Sequence, residues 1–440
     1  MTNVVVITTD QQSASAMSAV GNPWVHTPHL DRLAAEGMRF DRAYCAAPLC
    51  GPSRASLWTG RTPTEVGARD NGVALRPEVQ RRTLGNVVRA AGYDCAYAGK
   101  WHVPELAVPE WSGFEAIHPE REAGIVDSVG DYLRREHDRP YLLVVSLTEP
   151  HGICQWARGQ QPPSGHLDEP DGDDLPALPA NYARPAHEAE LPLIARERTP
   201  HANPVAGWDE TDWRRYLYGY HRLCERVDAT VGALLELVDE LSGPDTVVMV
   251  SSDHGDQMAA HQWNQKWVLY EESVRVPLII RGPGVRSGVS DSLVNIGMDV
   301  YPTICELTGA DPGPLPDGPA APPGRSLLPE LTGTASCGDG APTGPSEVFV
   351  ETRWDVADVG HLTGRAVIGR RFKYTCYAWG RHREQLVDLE ADPGEMQNLA
   401  FHPHHRDELA RGRTLVADHA RAVGDHKFAA MVPAAQARSR

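Results

Sequence analysis

The 440-residue chain has no apolar run long enough to cross a bilayer. One of its most apolar stretches, "YLLVVSL", is only a fraction of a membrane span. Its first residues, "MTNVVVITTDQQ", lack the basic start, apolar centre and small-residue cleavage site of a secretory signal, so a cytoplasmic location is expected. Paired cysteines are also missing. The eight thiols fall at 45, 50, 95, 154, 224, 305, 337 and 376, with no C-x-x-C pair and no zinc-site spacing, which predicts free thiols in a reducing compartment. Positive charge is in short supply: 42 Lys+Arg face 59 Asp+Glu, a net charge of -17. That balance argues against non-specific binding to nucleic acid or an anionic membrane, but leaves room for a local cationic pocket. No internal repeat is visible. Phenylalanine is scarce, at six against eleven tryptophans.

What is present alternates between two periods. "NVVVITTD" and "RPYLLVVSLTEP" read as buried strands, as do "DTVVMVSSDHGD" and "RVPLIIRGPG". Between them, "TPHLDRLAAEGMRF", "RTLGNVVRAAG" and the long "WRRYLYGYHRLCERVDATVGALLELVDELSG" have helical spacing. Strands alternating with helices predict an α/β sandwich around a large, mainly parallel sheet. A segment over 160–203 is rich in Pro, Gly and charge and reads as an excursion, a candidate lid over a site. A second Pro/Gly-rich stretch over 311–345 marks a boundary, giving a catalytic domain over 1–340. The remaining 341–440, with strand-like "EVFVETRW", "GRAVIGRRFKYTCYAW" and "EQLVDLEAD" and a helix near 405–422, forms a smaller α+β subdomain with a short antiparallel sheet.

Ligands of such sheets sit beyond the carboxyl ends of the strands. Asp10 and Gln11, Lys100 to His102, Glu149 to His151, and Asp253 and His254 all fall there. Two carboxylates, an amide oxygen and an imidazole suit a divalent cation. Either Asp taken alone reads first as a turn or helix cap, and the cationic residues at the same loops reverse that preference. Arg54, Lys100, His102, His151 and Lys266 add positive charge at the same loops of an acidic chain, the pattern of an anion pocket. Each by itself is an ordinary solvated surface charge. Trp101, Trp156, Trp263 and Trp267 flank these loops, and packing in the core competes there with a role against a sugar ring. A lone cysteine such as Cys50 is by base rate a small buried apolar group.

The stretch around Cys50, "PLCGPSRASLWTGR", resembles the signature of the type I sulfatases, with Cys50, Pro52, Ser53, Arg54, Thr59, Gly60 and Arg61 in place. "ITTD", "TPHLDRLAAEGMRF", "GKWH", "SSDHGD", "YEESVRVPLII" and "DLEADPGEMQNLA" resemble the same family in the same order over nearly the whole chain. The resemblance implies an alkaline phosphatase-like α/β/α fold and a sulfuric ester hydrolase. It implies that a maturation enzyme, reading Pro52 and Arg54, oxidises Cys50 to formylglycine. The hydrated aldehyde then offers one hydroxyl to attack sulfur and a second to expel sulfate, splitting one hard step into two. It further implies Asp10, Gln11, Asp253 and His254, with residue 50, as metal ligands. Arg54 would hold the formylglycine hydroxylate, Lys100 and Lys266 the sulfate oxygens. His102 would be the base for sulfate release, His151 the acid for the leaving oxygen, and Asn71 a substrate-side residue.

Two departures bear on the chemistry. Many family members carry a second Asp after the first and an Asn after the later one, where this chain has Gln11 and His254. Two protein carboxylates and a nitrogen ligand leave calcium as the expected metal, with manganese and magnesium as alternatives. The "PHGI" stretch departs from the commoner Pro-His-x-Pro pattern. The expected substrate is a sulfated carbohydrate or a small aryl or alkyl sulfate, O- or N-linked. Phosphonate monoester or phosphodiester hydrolysis on the same scaffold is the alternative reaction, and an inactive anion-binding relative the alternative class. Beyond the substrate and the maturation enzyme, the expectation is no nucleic-acid or membrane partner, with self-association left open.

Overall fold

The computed structural model describes residues 2–103, 112–198, 205–313, 323–334, 344–356 and 360–434. Cys337, most of the expected boundary over 311–345, residues 199–204 at the end of the excursion and the tail from 435 lie outside the described residues.

Eight strands form one sheet: β1 (Asn3–Asp10), β2 (Met38–Phe40), β4 (Asp94–Gly99), β5 (Glu115–His118), β6 (Tyr141–Pro150), β7 (Thr246–Ser252), β8 (Leu278–Arg281) and β9 (Gly288–Ser290). Two-residue strands β3 (Ala43–Tyr44) and β10 (Val294–Asn295) pair separately. The sheet order is β5-β4-β6-β1-β7-β8-β2-β9. Pairing is parallel except where β8 meets β7 and β2. The fold is therefore the expected sandwich around a mixed, mainly parallel sheet.

Alternation along β1 explains the layers, since successive side chains of a strand point to opposite faces. Val4 and Val6 enter one core, shared with Leu57 of the helix Cys50–Leu57 and with Val300 and Ile304 of the helix Ile296–Thr308. Val5 and Ile7 enter the other, with Leu30 and Leu33 of the helix Pro28–Glu36 and Val227, Val231 and Leu234 of the long helix Glu210–Leu241. Both faces are thus covered, as a buried parallel sheet requires. The long helix is started by a capping box: Asp209 accepts from the backbone of Thr211 and Asp212, and Asp212 reaches back to the backbone N–H of Asp209.

The C-terminal sheet is antiparallel in the order β11 (Glu347–Val356), β12 (Gly360–Gly369), β13 (Phe372–Tyr377) and β14 (Glu384–Asp388). The helix Arg406–Ala422 packs on it through Leu409 and Val416. Strand β11 is tied to the cysteine segment directly, because the N–H of Glu351 donates to the carbonyl of Ala46 at 2.9 Å. The excursion is more ordered than its composition suggests. It holds the helix Glu190–Arg198, whose Leu191 and Ala195 enter the main core, and its Leu167 packs with Leu217 and Tyr220 of the long helix. No described helix is long and apolar enough to cross a membrane.

Candidate active site

Four neighbouring strands, β4, β6, β1 and β7, deliver the site from their carboxyl ends. Asp10 is the last residue of β1, Lys100 follows β4, His151 follows β6, and Asp253 follows β7. Gly99 permits the turn at Lys100, for it has φ +90° and any β-carbon there would collide with the carbonyl of Ser146. Cys50 arrives from outside the sheet as the first residue of the helix Cys50–Leu57, where unpaired N–H groups carry partial positive charge. The N–H of Gly51 is taken by Oδ1 of the exposed Asn71 at 2.9 Å. A β-carbon at residue 51 would come within 2.8 Å of that oxygen, so the contact needs glycine.

Asp10, Cys50, Asp253 and His254 place one donor atom each within 4.8 Å of all the others, and all four are buried. His254 Nε2 lies 3.2 Å from Cys50 Sγ, while its Nδ1 is 2.9 Å from the carbonyl of Gly255. Only Nδ1–H can satisfy a carbonyl, so Nε2 is the nitrogen that faces the cluster. Burial opposes protonation of the imidazole, but the charges around it, the adjacent Asp253 first, raise its pKa. The sulfur is 3.7 Å from Asp10 Oδ1 and 3.3 Å from Lys266 Nζ. Lys100 Nζ meets Asp10 Oδ2 at 2.6 Å.

The charges acting on each group set its protonation. Burial opposes ionisation of Cys50, but Lys266, Lys100 and His254 outweigh it and hold the thiol well below its ordinary range. Burial and Cys50 also oppose ionisation of Asp10, and Lys100, His151 and Lys266 overcome them. Asp253 is pushed the other way, up, by burial and the adjacent Asp10 charge, against the pull of His254 and Arg54. Two carboxylates in one dry pocket ionise unequally, as like charges must. His151 is lowered, first by burial and then by Lys266.

The structure brings together most residues the sequence singled out, but gives two of them different neighbours. Arg54 was expected to hold the oxygen on residue 50. Its Nε instead donates to Asp253 Oδ2 at 2.8 Å, and its terminal nitrogens to Ser146 Oγ, the carbonyl of Lys100 and Asp10 Oδ2. It ties the two carboxylates together, and its charge also acts on Cys50. Gln11 was expected among the metal ligands. Its Oε1 accepts from Lys266 at 2.6 Å and its Nε2 donates to Asp256 Oδ2 at 2.7 Å. His102 takes φ +48° at the rim, with its buried Nδ1 unpartnered. The tryptophans pack rather than face a ligand. Trp101 sits edge-on to Tyr97 and Phe114, Trp156 donates to the carbonyl of Arg215, Trp263 lies under Arg196, and Trp267 stacks on Trp354. Sequence reasoning missed Asp256, Tyr216 and Ser146. Asp256 was within reach, as the second Asp of "SSDHGD", whereas Tyr216 comes from the middle of a regular helix and carries no local signal.

Comparison with known proteins gives a consistent result. A family model described as Sulfatase matches residues 2–107 and 120–310, more than half of the chain. A second, described as N-sulphoglucosamine sulphohydrolase, C-terminal, matches residues 259–412. The Delta 4,5-hexuronate-2-O-sulfatase of Bacteroides thetaiotaomicron is 29% identical, over 95% of this chain and 88% of its own. The solved structure of a 2-O GAG sulfatase superposes with a TM-score of 0.84 at 28% identity, covering 98% of this chain and 95% of that one. The phosphonate monoester hydrolase of Agrobacterium radiobacter shares the fold at a TM-score of 0.76, with 22% identity and 96% of each chain covered.

Proposed function

The chain belongs to the sulfatase family, of the formylglycine type, and from that premise we propose that this sulfuric ester hydrolase removes an O-sulfate from a uronate-containing saccharide, using Cys50 in its formylglycine form beside a divalent metal. One observation carries the reading: a buried sulfur at residue 50 touches an ammonium and an imidazole and lies against a carboxylate. An inert packing cysteine has no use for such neighbours. The saccharide comes from the relatives, one a hexuronate-2-O-sulfatase and one a 2-O GAG sulfatase.

The donors present fit a hard divalent cation. Asp10 and Asp253 supply oxygens, His254 turns its Nε2 to the cluster, and a cation there would offset both the burial and the Asp10 repulsion that suppress ionisation of Asp253. When bound, such an ion would acidify a hydroxyl on residue 50 and draw charge from a sulfate oxygen. Formylglycine would supply two hydroxyls on one carbon, one to attack sulfur and one to help expel sulfate.

The chain's own residues do the remainder. Lys100 and Lys266, both buried, hold sulfate oxygens as charge grows on them. Arg54 fixes the two carboxylates in register from the core side. His151 gives its proton to the leaving oxygen. Burial first and Lys266 second disfavour its protonated form before substrate enters, and the incoming anion offsets the effect of Lys266. His102 at the rim takes the proton that frees the product sulfate. Asn71, exposed beside residue 50, faces the substrate side.

The test is turnover by protein made in a host with the maturation enzyme. The panel is a 2-O-sulfated unsaturated hexuronate disaccharide, a 6-O-sulfated amino sugar, an aryl sulfate and a phosphodiester. The first should be preferred, Cys50→Ala should be inert but folded, and the residue-50 peptide should be lighter than its thiol form by about 18 Da. A higher kcat/KM for the phosphodiester than for every sulfate would reject the reading.

A further inference from the structure

We propose that Asp256 is a positioning residue of this site: it fixes which end of the Gln11 amide faces Lys266, and through that amide aims the Lys266 ammonium at residue 50.

The two ends of a glutamine amide are nearly the same size, and only their partners decide which points where. A carboxylate accepts hydrogen bonds and donates none. Asp256 Oδ2 takes Gln11 Nε2 at 2.7 Å, so the amide oxygen is forced to the opposite side, where Lys266 Nζ meets it at 2.6 Å. The same ammonium lies 3.3 Å from Cys50 Sγ. Every member of this chain is buried, so no water competes for the bonds. Gln11 also holds φ +77°, an unfavourable conformation for a residue with a side chain, kept here because its N–H donates to Asp253 Oδ1 at 3.1 Å.

Asp256 is itself held from three elements. The N–H of Met258 donates to its Oδ1 at 2.7 Å. Ser13, on the loop after β1, exchanges two bonds with its backbone, at 2.7 and 2.8 Å. The Tyr216 hydroxyl, from the long helix, donates to its Oδ2 at 2.6 Å and accepts from the N–H of Gln265, the residue before Lys266, at 3.1 Å. Asp256 thus acts on Lys266 from two sides, on the side chain through Gln11 and on the backbone through Tyr216. It touches neither residue 50 nor the position where sulfate would sit, and its role is orientation.

The inference relies on the sulfatase reading only to name sulfate as the ligand of Lys266. Asp256→Asn puts an amide donor against an acceptor-only position. It opposes Gln11 Nε2, or Gln11 turns over and sets its own NH₂ against the ammonium, or the new NH₂ takes the Oδ1 place and opposes the N–H of Met258, which turns the side chain away from its wild-type setting. Gln11→Glu combined with Asp256→Asn exchanges carboxylate and amide across the same bond at unchanged total charge. The amide now at position 256 then donates, the freely rotating Tyr216 hydroxyl turns to accept, and an oxygen again faces Lys266.

The experiment measures inorganic sulfate binding by calorimetry, kcat and KM on the preferred sulfate ester, and melting temperature. Asp256→Asn should weaken sulfate binding about tenfold and lower kcat by about thirtyfold, and the double variant should return both to within about threefold of wild type. Tyr216→Phe keeps the ring, removes one of the carboxylate's donors, and should weaken sulfate binding about fivefold. It decides the matter if Asp256→Asn does not fold. Wild-type sulfate binding in Asp256→Asn or Tyr216→Phe, or a double variant no better than Asp256→Asn, overturns the proposal, because a merely structural aspartate would not be rescued by the exchange. A wild-type protein that binds sulfate but hydrolyses no sulfate ester would instead overturn the functional reading and leave this one standing.

Discussion

A thiol shut away from water normally resists ionisation, and Cys45, Cys95 and Cys154 in this chain do so. Cys50 is equally buried and is moved the opposite way, because Lys266, Lys100 and His254 converge on it. Residue type was legible in the sequence at this scale, and so were the neighbours Pro52 and Arg54. The destination of each donor was not. Arg54 looked like a group aimed at residue 50, and its guanidinium spans the two carboxylates instead. A sequence gives the reach and charge of a side chain, while its partners depend on what the rest of the chain brings within about 3 Å. Asn71 allows a direct test at this scale. Asn71→Ala removes the acceptor of the Gly51 N–H and should lower kcat by about fivefold to tenfold with little change in melting temperature, whereas Asn71→Asp keeps an acceptor and should lose less. Stopped assays on the preferred sulfate ester check this, and an unchanged kcat in Asn71→Ala would leave that residue without a part in turnover.

Among the elements, the long apolar strands and the long helix were readable because their own periodicity is strong. Strand β1, strand β6 and the helix Glu210–Leu241 follow the quoted runs closely. The three-residue strands β2 and β9 and the helix Glu190–Arg198 were not readable, for their order comes from contacts rather than local pattern. Pro192 sits in the first turn of that helix, where a missing N–H costs nothing, and Leu191 and Ala195 are fixed by the core they meet. The joint between β11 and the segment after Cys50 carries a pH prediction. Glu351 is buried, and burial is outweighed by Arg365, His419 and Thr64, which hold its carboxyl at about 2. A depressed acid stabilises the fold above its ordinary pKa and loses that contribution as pH falls toward its folded value. The stabilisation, on the order of 3 kcal/mol, is therefore complete above about pH 4.5 and lost between there and about pH 2. Melting curves of wild type should fall steeply across that window and those of Glu351→Gln less so. Equal slopes would show that the pair contributes nothing.

For the whole molecule, sheet order does the decisive work. Asp10 and Asp253 lie 243 positions apart in the chain, yet parallel pairing of β1 with β7 sets Thr9 opposite Ser252 and brings their ends together. β6 on the other side of β1 adds His151, and β4 beyond it adds Lys100. Because the site is assembled from so many separate segments, filling it should stabilise all of them. Chelation should abolish turnover and lower the melting temperature, and returned calcium, manganese or magnesium should restore both. A ligand present at about a hundred times its dissociation constant adds about 2.7 kcal/mol to the native state. Full activity in a chelator, with an unchanged melt, would exclude the metal centre. The alternation of strands and helices, the residue types at the strand ends and the motif around Cys50 can be read along the chain, since they depend on local periodicity and on side-chain chemistry. That Arg54 pairs both carboxylates, that Gln11 meets Lys266, and that Asp256 and Tyr216 stand behind them follows from the folded arrangement alone. Those contacts join residues up to some 255 positions apart, and a hydrogen bond between them exists only once the sheet has placed both ends in one dry pocket.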